Sequence, residues 1–151
     1  MVVPLSMEQY SKSLEIRWSD LDPNFHVLHS KYYDFGAYCR MSFFVENGIT
    51  PELLNKHHIG LIILREECIF RKEIRFADAI SINLFMSKAS GDYKRWTLNH
   101  EIYKNGDTLA AIITLDGAWM DTLSRKMAIP PQEFGSCFET IPKTADYVFT
   151  P

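Results

Sequence analysis

One segment limits the fold more than any other. Residues 31–47 carry apolar side chains at helical spacing on most sides of the pattern. Tyr33, Ala37, Met41 and Phe44 form one stripe, and Phe35, Tyr38 and Val45 widen it. Only Lys31, Asp34, Arg40, Ser42, Glu46 and Asn47 are clearly polar. A face this broad suits a central helix covered on most sides. Ser30 is the expected N-cap, with Asp34 in the first turn where the dipole favours an anion. Gly48 fits the residue just past the end. Thr50-Pro51 predicts a short second helix, capped by Thr50, reaching His57 or His58 and broken at Gly60. The cover for the long helix must therefore come from strands.

The rest of the chain supplies them. Leu61 to Phe76 is a long Ile-, Leu- and Phe-rich run interrupted by Arg65-Glu66-Glu67. Ala79 to Lys88 alternates, Gly91-Asp92 marks a turn, and Arg95 to Lys104 alternates again. Asn105-Gly106 is a type I′ hairpin signal leading into a last long strand, Thr108 to Asp121. Before the helix, Leu14, Ile16 and Trp18 alternate with Ser13, Glu15 and Arg17, predicting a half-buried strand that ends at Ser19-Asp20. Pro130-Pro131 closes the sheet region, Gln132 to Phe138 predicts one or two helical turns, and the tail to Pro151 has little pattern. The expected organisation is one domain over 1–151: an arm at 1–12, a core at 13–130 and an extension at 131–151. One strand, one long helix and four strands joined mostly by hairpins predict an α+β fold, its antiparallel sheet wrapped around the helix.

Composition narrows the function classes. A formal charge of −3 gives no nucleic-acid footprint. Three widely spaced cysteines, Cys39, Cys68 and Cys137, support neither a disulfide framework nor a zinc ribbon. No apolar run is long enough for a membrane span, and residues 1–5 are too short for a signal core. The expected compartment is the reducing cytoplasm.

Ionisable residues crowd between the first strand and the long helix. Asp20, Asp22, His26 and His29 fall within ten positions. A reactive carboxylate and a backbone amide array can meet one substrate carbonyl there. Asp22 also suits a turn before Pro23, and Asp20 suits hydrogen bonding to the loop's own amides. The two histidines with the acids fit no dedicated metal motif, so no metal is expected. On a regular strand Glu66 shares a face with Leu64, Cys68 and Phe70. It is either an inward acid or base, or part of a bulge or edge that lets it reach water. His100 reads as a hydrogen-bonded core histidine.

The same residues resemble a known family. The frame D-x-D-x-x-G-H-V-N-N-x-x-Y, running into a central helix, belongs to hotdog-fold thioesterases of the 4-hydroxybenzoyl-CoA thioesterase type. Asp20-Leu21-Asp22-Pro23-Asn24-Phe25-His26-Val27-Leu28-His29-Ser30-Lys31-Tyr32 follows it without gaps. Ile74-Arg75-Phe76-Ala77-Asp78-Ala79-Ile80 is similar to the family's aromatic, small residue and Asp opening the next strand. The chain departs at Phe25, where the family has Gly, and at Leu28-His29, where it has Asn-Asn.

The resemblance implies a hotdog fold of five or six strands and an acyl-CoA thioesterase without a cofactor. Asp22 would attack the thioester carbonyl or activate a water, and backbone N–H groups near His29 would hold the oxyanion. His26 would position the loop. The expected substrate contacts are Asp20, Pro23, Phe25, Tyr32, Gly60 and Glu66. Arg65, Arg71, Lys72, Arg75, Lys94 and Arg95 read by default as the sheet's solvated face. At least one would meet a CoA phosphate if the substrate is a CoA ester, and an acyl-carrier-protein thioester is the other substrate implied. A homodimer or homotetramer with sites between protomers is implied as well. The alternatives are a hotdog hydratase or dehydratase, whose D-x-N-P-x-H signature fits less well, and an acyl-binding protein without turnover.

Overall fold

A computed structural model of the protein describes residues 9–151. In chain order its elements are β1 (Tyr10–Leu14), α1 (Lys31–Glu46), α2 (Pro51–Lys56), β2 (Ile59–Phe70), β3 (Ile80–Ser90), β4 (Arg95–Lys104), β5 (Thr108–Asp121), α3 (Gln132–Glu139) and β6 (Lys143–Thr150). The sheet order is β1-β3-β4-β5-β2, antiparallel throughout, with β6 added in parallel to β3. This is the expected α+β arrangement. No helix among the described residues is long and apolar enough to cross a membrane.

The hairpins form where the turn chemistry puts them. Asn105 (φ 54°) and Gly106 (φ 95°) both take the left-handed conformation that a type I′ turn requires. Thr50 caps α2, its hydroxyl accepting from Leu53 N at 3.3 Å, and Gly48 sits at φ 88° just past α1.

Several boundaries differ from the sequence reading. β1 lies at Tyr10–Leu14 rather than 13–18, because its partner β3 begins at Ile80, opposite Leu14. Beyond Leu14 there is nothing to pair with, and Trp18–Asp20 winds into a 3-10 turn. Of the expected arm, Tyr10 to Lys12 is strand, and residues 1–8 lie outside the described residues. β2 stops at Phe70, and the segment after it crosses over to the loop before α1, where Val27 N donates to Ile74 O at 2.8 Å. Gly60 does not end the second helix. α2 stops at Lys56, His58 makes the reversal at φ 50°, and Gly60 lies inside β2 opposite Met120. The unpatterned tail is β6, paired with Met86 to Ser90. Both its faces are largely exposed, so it carries no alternation. Ser30 makes no side-chain cap bond.

The helix buries Tyr32, Phe35, Gly36, Cys39, Arg40, Phe43 and Phe44. That face is rotated from the expected stripe. Met41, Tyr38 and Val45 remain exposed because the sheet covers only one side of α1 in this chain. The far end is closed by α3, whose Phe138 stacks on Phe44 at 5.4 Å and meets Trp119 at 5.1 Å and Trp96 at 5.4 Å. Gly117 lies flat beneath Trp96, where any Cβ would fall inside the indole ring.

Phe138 is fully buried at this junction. Phe138→Ala is expected to lose about 3–5 kcal/mol in urea unfolding. A loss under about 1 kcal/mol would mean that α3 is not part of the core.

Candidate active site

The segment between β1 and α1 folds into a tight loop held by its own backbone. Leu21 bridges Val27, Asp22 N donates to His26 O at 2.7 Å, and Phe25 N donates to Asp22 O at 2.9 Å. Phe25 takes a left-handed φ of 63° where the resembled family has glycine. The turn geometry therefore survives the substitution, at a cost of roughly 1–2 kcal/mol. The Phe25 ring faces outward against Trp18, 6.2 Å between centroids.

The two acids of D-x-D part company. Asp20 is buried, and its Oδ2 accepts from Arg17 N at 2.8 Å. Its Oδ1 lies 3.5 Å from the Arg17 guanidinium and 4.0 Å from Lys31 Nζ. Its backbone oxygen accepts from Leu28 N at 2.8 Å, tying the loop together. Asp22 turns the other way. Its Oδ1 accepts from Asn24 N at 2.8 Å and His26 N at 3.1 Å, while Oδ2 makes no hydrogen bond among the described residues.

Asp22 opens onto a cavity of about 300 Å³ lined also by His26, Val27, His29, Tyr32, Phe70, Arg71, Lys72 and Glu73. Four of the expected site residues, Asp22, His26, His29 and Tyr32, thus converge. Pro23 and Phe25 are outside it, both exposed. Asp20 lines a neighbouring cavity with Arg17 and Lys31 instead. Gly60 is ten residues along β2 from Phe70, roughly 33 Å away within one chain. Glu73 and Phe70 were not singled out from the sequence. The signal available was the abrupt change from Ile69-Phe70 to Arg71-Lys72-Glu73.

The cavity mixes charge with an aromatic wall. Tyr32 packs edge-on against Phe70 at 4.9 Å. Burial pushes its hydroxyl up to about 12, with Cys68, Asp22 and Glu73 adding to the shift, so it stays protonated and can donate. The helix begins at Lys31, and the His29 and Ser30 N–H groups just before it donate to nothing among the described residues. Free amides at a helix N-terminus favour developing negative charge.

A second polar group lies under α1. His100 is fully buried, its Nδ1 2.7 Å from Asn83 O and its Nε2 3.1 Å from Arg40 Nη1. The carbonyl can only accept, so Nδ1 carries the proton and Nε2 accepts from Arg40. Glu66 reaches this group from β2, with Oε1 3.8 Å from Arg40 Nη1. The register shifts between Ile63 and Arg65. β2 is thus both bulged and at the sheet edge, yet the Glu66 side chain turns inward and is only 19% exposed. Gly36 makes room here, since a Cβ would come within 3.1 Å of Arg40 Nη1 and 3.3 Å of the His100 ring.

Residues 16–138 match the thioesterase-like superfamily. The chain belongs to that family. Comparison with curated protein sequences gave no match. Among solved structures, the chain is similar to a hypothetical protein of Staphylococcus aureus in complex with CoA: 17% identity, TM-score 0.83, covering 91% of this chain and 86% of that one. A 1,4-dihydroxy-2-naphthoyl-CoA thioesterase of Synechocystis gives 16% identity and a TM-score of 0.77, covering 85% and 94%. A DHNA-CoA thioesterase of Staphylococcus aureus gives 16% identity and a TM-score of 0.76, covering 87% of each chain. At these identities the likeness is one of fold, and the fold of this thioesterase-like chain is the hotdog.

Burial, and secondarily Arg40, pushes His100 down to about 3. The unfolded chain therefore binds a proton near the ordinary histidine value of about 6.5, which the folded chain refuses. Stability from this group is full above that pH and falls as the pH drops below it. Between pH 7 and pH 5 the parent is expected to lose about 2 kcal/mol that His100→Gln does not lose. Parallel pH slopes in chemical denaturation would show that His100 is not held neutral.

Proposed function

We propose that this chain is a cytoplasmic acyl-CoA thioesterase, hydrolysing a CoA thioester to a free acid and CoA at the Asp22 cavity. The observation that carries the reading is the state of Asp22. One carboxylate oxygen is fixed by two loop amides, while the other accepts no hydrogen bond among the described residues, and the residue lines the cavity with His29 and Tyr32 near the start of α1. Oδ2 either attacks the thioester carbon or takes a proton from an attacking water. In both cases electrons pass to the carbonyl oxygen. The His29 and Ser30 N–H groups, which donate to nothing among the described residues, are the donors assigned to that charge in this reading, each worth about 2.7–4 kcal/mol of barrier. Collapse breaks the C–S bond, and the thiolate leaves without a strong acid. In the nucleophilic route a water then cleaves the acyl anhydride on Asp22 to give the free acid; in the general-base route the acid forms directly and the proton held by Asp22 passes to the thiolate. His26 acts through its backbone by holding Asp22. The His29 imidazole stands at the cavity wall, where it can hydrogen-bond the substrate.

The remaining lining supports a CoA or carrier-protein thioester. Arg71 and Lys72 sit at the cavity on the solvent side and suit phosphate. Val27, Tyr32 and Phe70 suit the acyl end. A hydratase would need the His26 imidazole and Asp22 on one water, and its D-x-N-P-x-H signature is not met here: Asp22 stands at the Asn position, and the chain is one residue longer before His26.

Free-thiol release from a panel of acyl-CoAs tests the reading. Asp22→Ala and Asp22→Asn are each expected to lower turnover at least about a hundredfold. Unchanged release would overturn the role of Asp22. Binding without release in the parent would favour a non-catalytic acyl-binding protein, and loss of enoyl absorbance without thiol release would favour a hydratase.

The reading includes a homodimer or a larger homo-oligomer. β2 is an edge strand twelve residues long, with Ile63, Leu64, Ile69 and Phe70 exposed. Tyr38, Met41 and Val45 leave α1 with an uncovered apolar side. Such an edge calls for a partner. Antiparallel pairing of two β2 strands about their midpoint would set Gly60 opposite the partner's Ile69 and next to the partner's Phe70, giving Gly60 a place at the neighbouring site. Sedimentation is expected to give a mass of at least two chains. A monomer with full turnover would overturn the shared site.

A further inference from the structure

Two charged side chains meet beneath α1 without satisfying each other. The Arg40 side chain is 8% exposed and that of Glu66 19%. Their 3.8 Å separation is an ion pair but too long for a hydrogen bond. Glu66 Oε1 is buried and accepts no hydrogen bond among the described residues. The Arg40 guanidinium, with five donors, has one bonded partner there, His100 Nε2. Buried charges left this open are costly, and a protein that only needed packing would do better with apolar side chains.

Their position relative to the Asp22 cavity suggests what completes them. Phe70 and Tyr32 form the cavity's aromatic wall. Inward along β2 the next side chains on that face are Cys68 and then Glu66. On α1, Tyr33, Ala37 and Arg40 follow one another on one face at helical spacing. Tyr32 packs on Phe70 at one end and Arg40 faces Glu66 at the other, so these two faces of α1 and β2 run side by side, as one row, from the cavity to the ion pair. Tyr33 and Ala37 are only partly covered. The row is largely apolar between its ends. Phosphates must stay at the solvent side by Arg71 and Lys72, so an acyl chain lying in this row would point at Glu66 and Arg40.

From this juxtaposition we propose that Glu66, facing the Arg40 that His100 holds, is a specificity residue that takes a hydroxyl at the far end of an aliphatic acyl chain. The inference rests on the thioesterase reading above. Glu66 and Arg40 together carry no net charge. An acyl carboxylate would be repelled by Glu66 and an acyl cation by Arg40. A hydroxyl can donate to Glu66 Oε1 and accept from Arg40, satisfying both. Four residues of strand separate Glu66 from Phe70, roughly 13 Å. At the reach per bond of an extended backbone, that corresponds to a chain of about ten carbons. A single aromatic ring would not span it.

The probes are two non-hydrolysable CoA thioethers, one with a decyl chain and one with an ω-hydroxydecyl chain. Binding is measured by calorimetry, independently of turnover. The parent is expected to bind the hydroxylated thioether at least about tenfold more tightly. Glu66→Leu combined with Arg40→Met, which removes both charges and avoids stranding either one, is expected to bring the ratio to about one while keeping affinity for the decyl probe. Glu66→Gln, which keeps the shape, is expected to give an intermediate ratio. A parent ratio near one, a ratio unchanged in the double variant, or no binding of either thioether would overturn the proposal. Preference for the hydroxylated thioether without thioester cleavage in a parallel free-thiol assay would overturn the enzymatic reading alone. Cleavage without preference would overturn this inference alone.

Discussion

Burial of one face of α1 against the sheet is the constraint on which the remaining features depend. Phe35, Cys39, Phe43 and Phe44 leave water together against the sheet. Each such side chain is worth roughly 1.5–3 kcal/mol when fully buried. That contact fixes where the helix begins, and the helix start fixes where the amides of His29 and Ser30 point. The same contact brings Tyr32 against Phe70 at the end of β2. The cavity is thus a by-product of packing: it is the gap left where a helix start and a strand end are held side by side.

The loop before the helix shows how little local chemistry the site needs once that frame exists. Asp20 and Asp22 are two residues apart, yet one is consumed in holding the loop to Arg17 and Leu28 and the other opens onto the cavity. The family frame places glycine where this chain has Phe25. The left-handed turn persists because several backbone hydrogen bonds over-determine it, from Asp22 N to His26 O through Val27 N to Ile74 O.

The strands and helices were largely legible in the sequence, because each carries a signal within a few residues of itself. The Asn105-Gly106 turn, the Thr50 cap and the alternation of β4 are of this kind. What failed to show were features set by partners far along the chain. β1 ends at Leu14 because β3 begins at Ile80. β6 is a strand because Met86 to Ser90 had an unpaired edge, and its own side chains say nothing about it. In the site, the frame pointed to Asp22, His26, His29 and Tyr32, which do meet at one cavity. Phe70 and Glu73 were missed, since they are brought there only by β2.

The sequence by itself determined that one broad-faced helix would be wrapped by an antiparallel sheet, and that a cluster of ionisable groups would gather just before that helix. Periodicity and turn chemistry are local, so they can be read without knowing what packs on what. The tertiary structure decided which face of α1 is buried, which of two neighbouring acids faces the cavity, and that Glu66 turns inward to Arg40 instead of outward to water. Those outcomes depend on side chains brought together across many tens of residues, and on a bulge whose direction is set by the strand beside it.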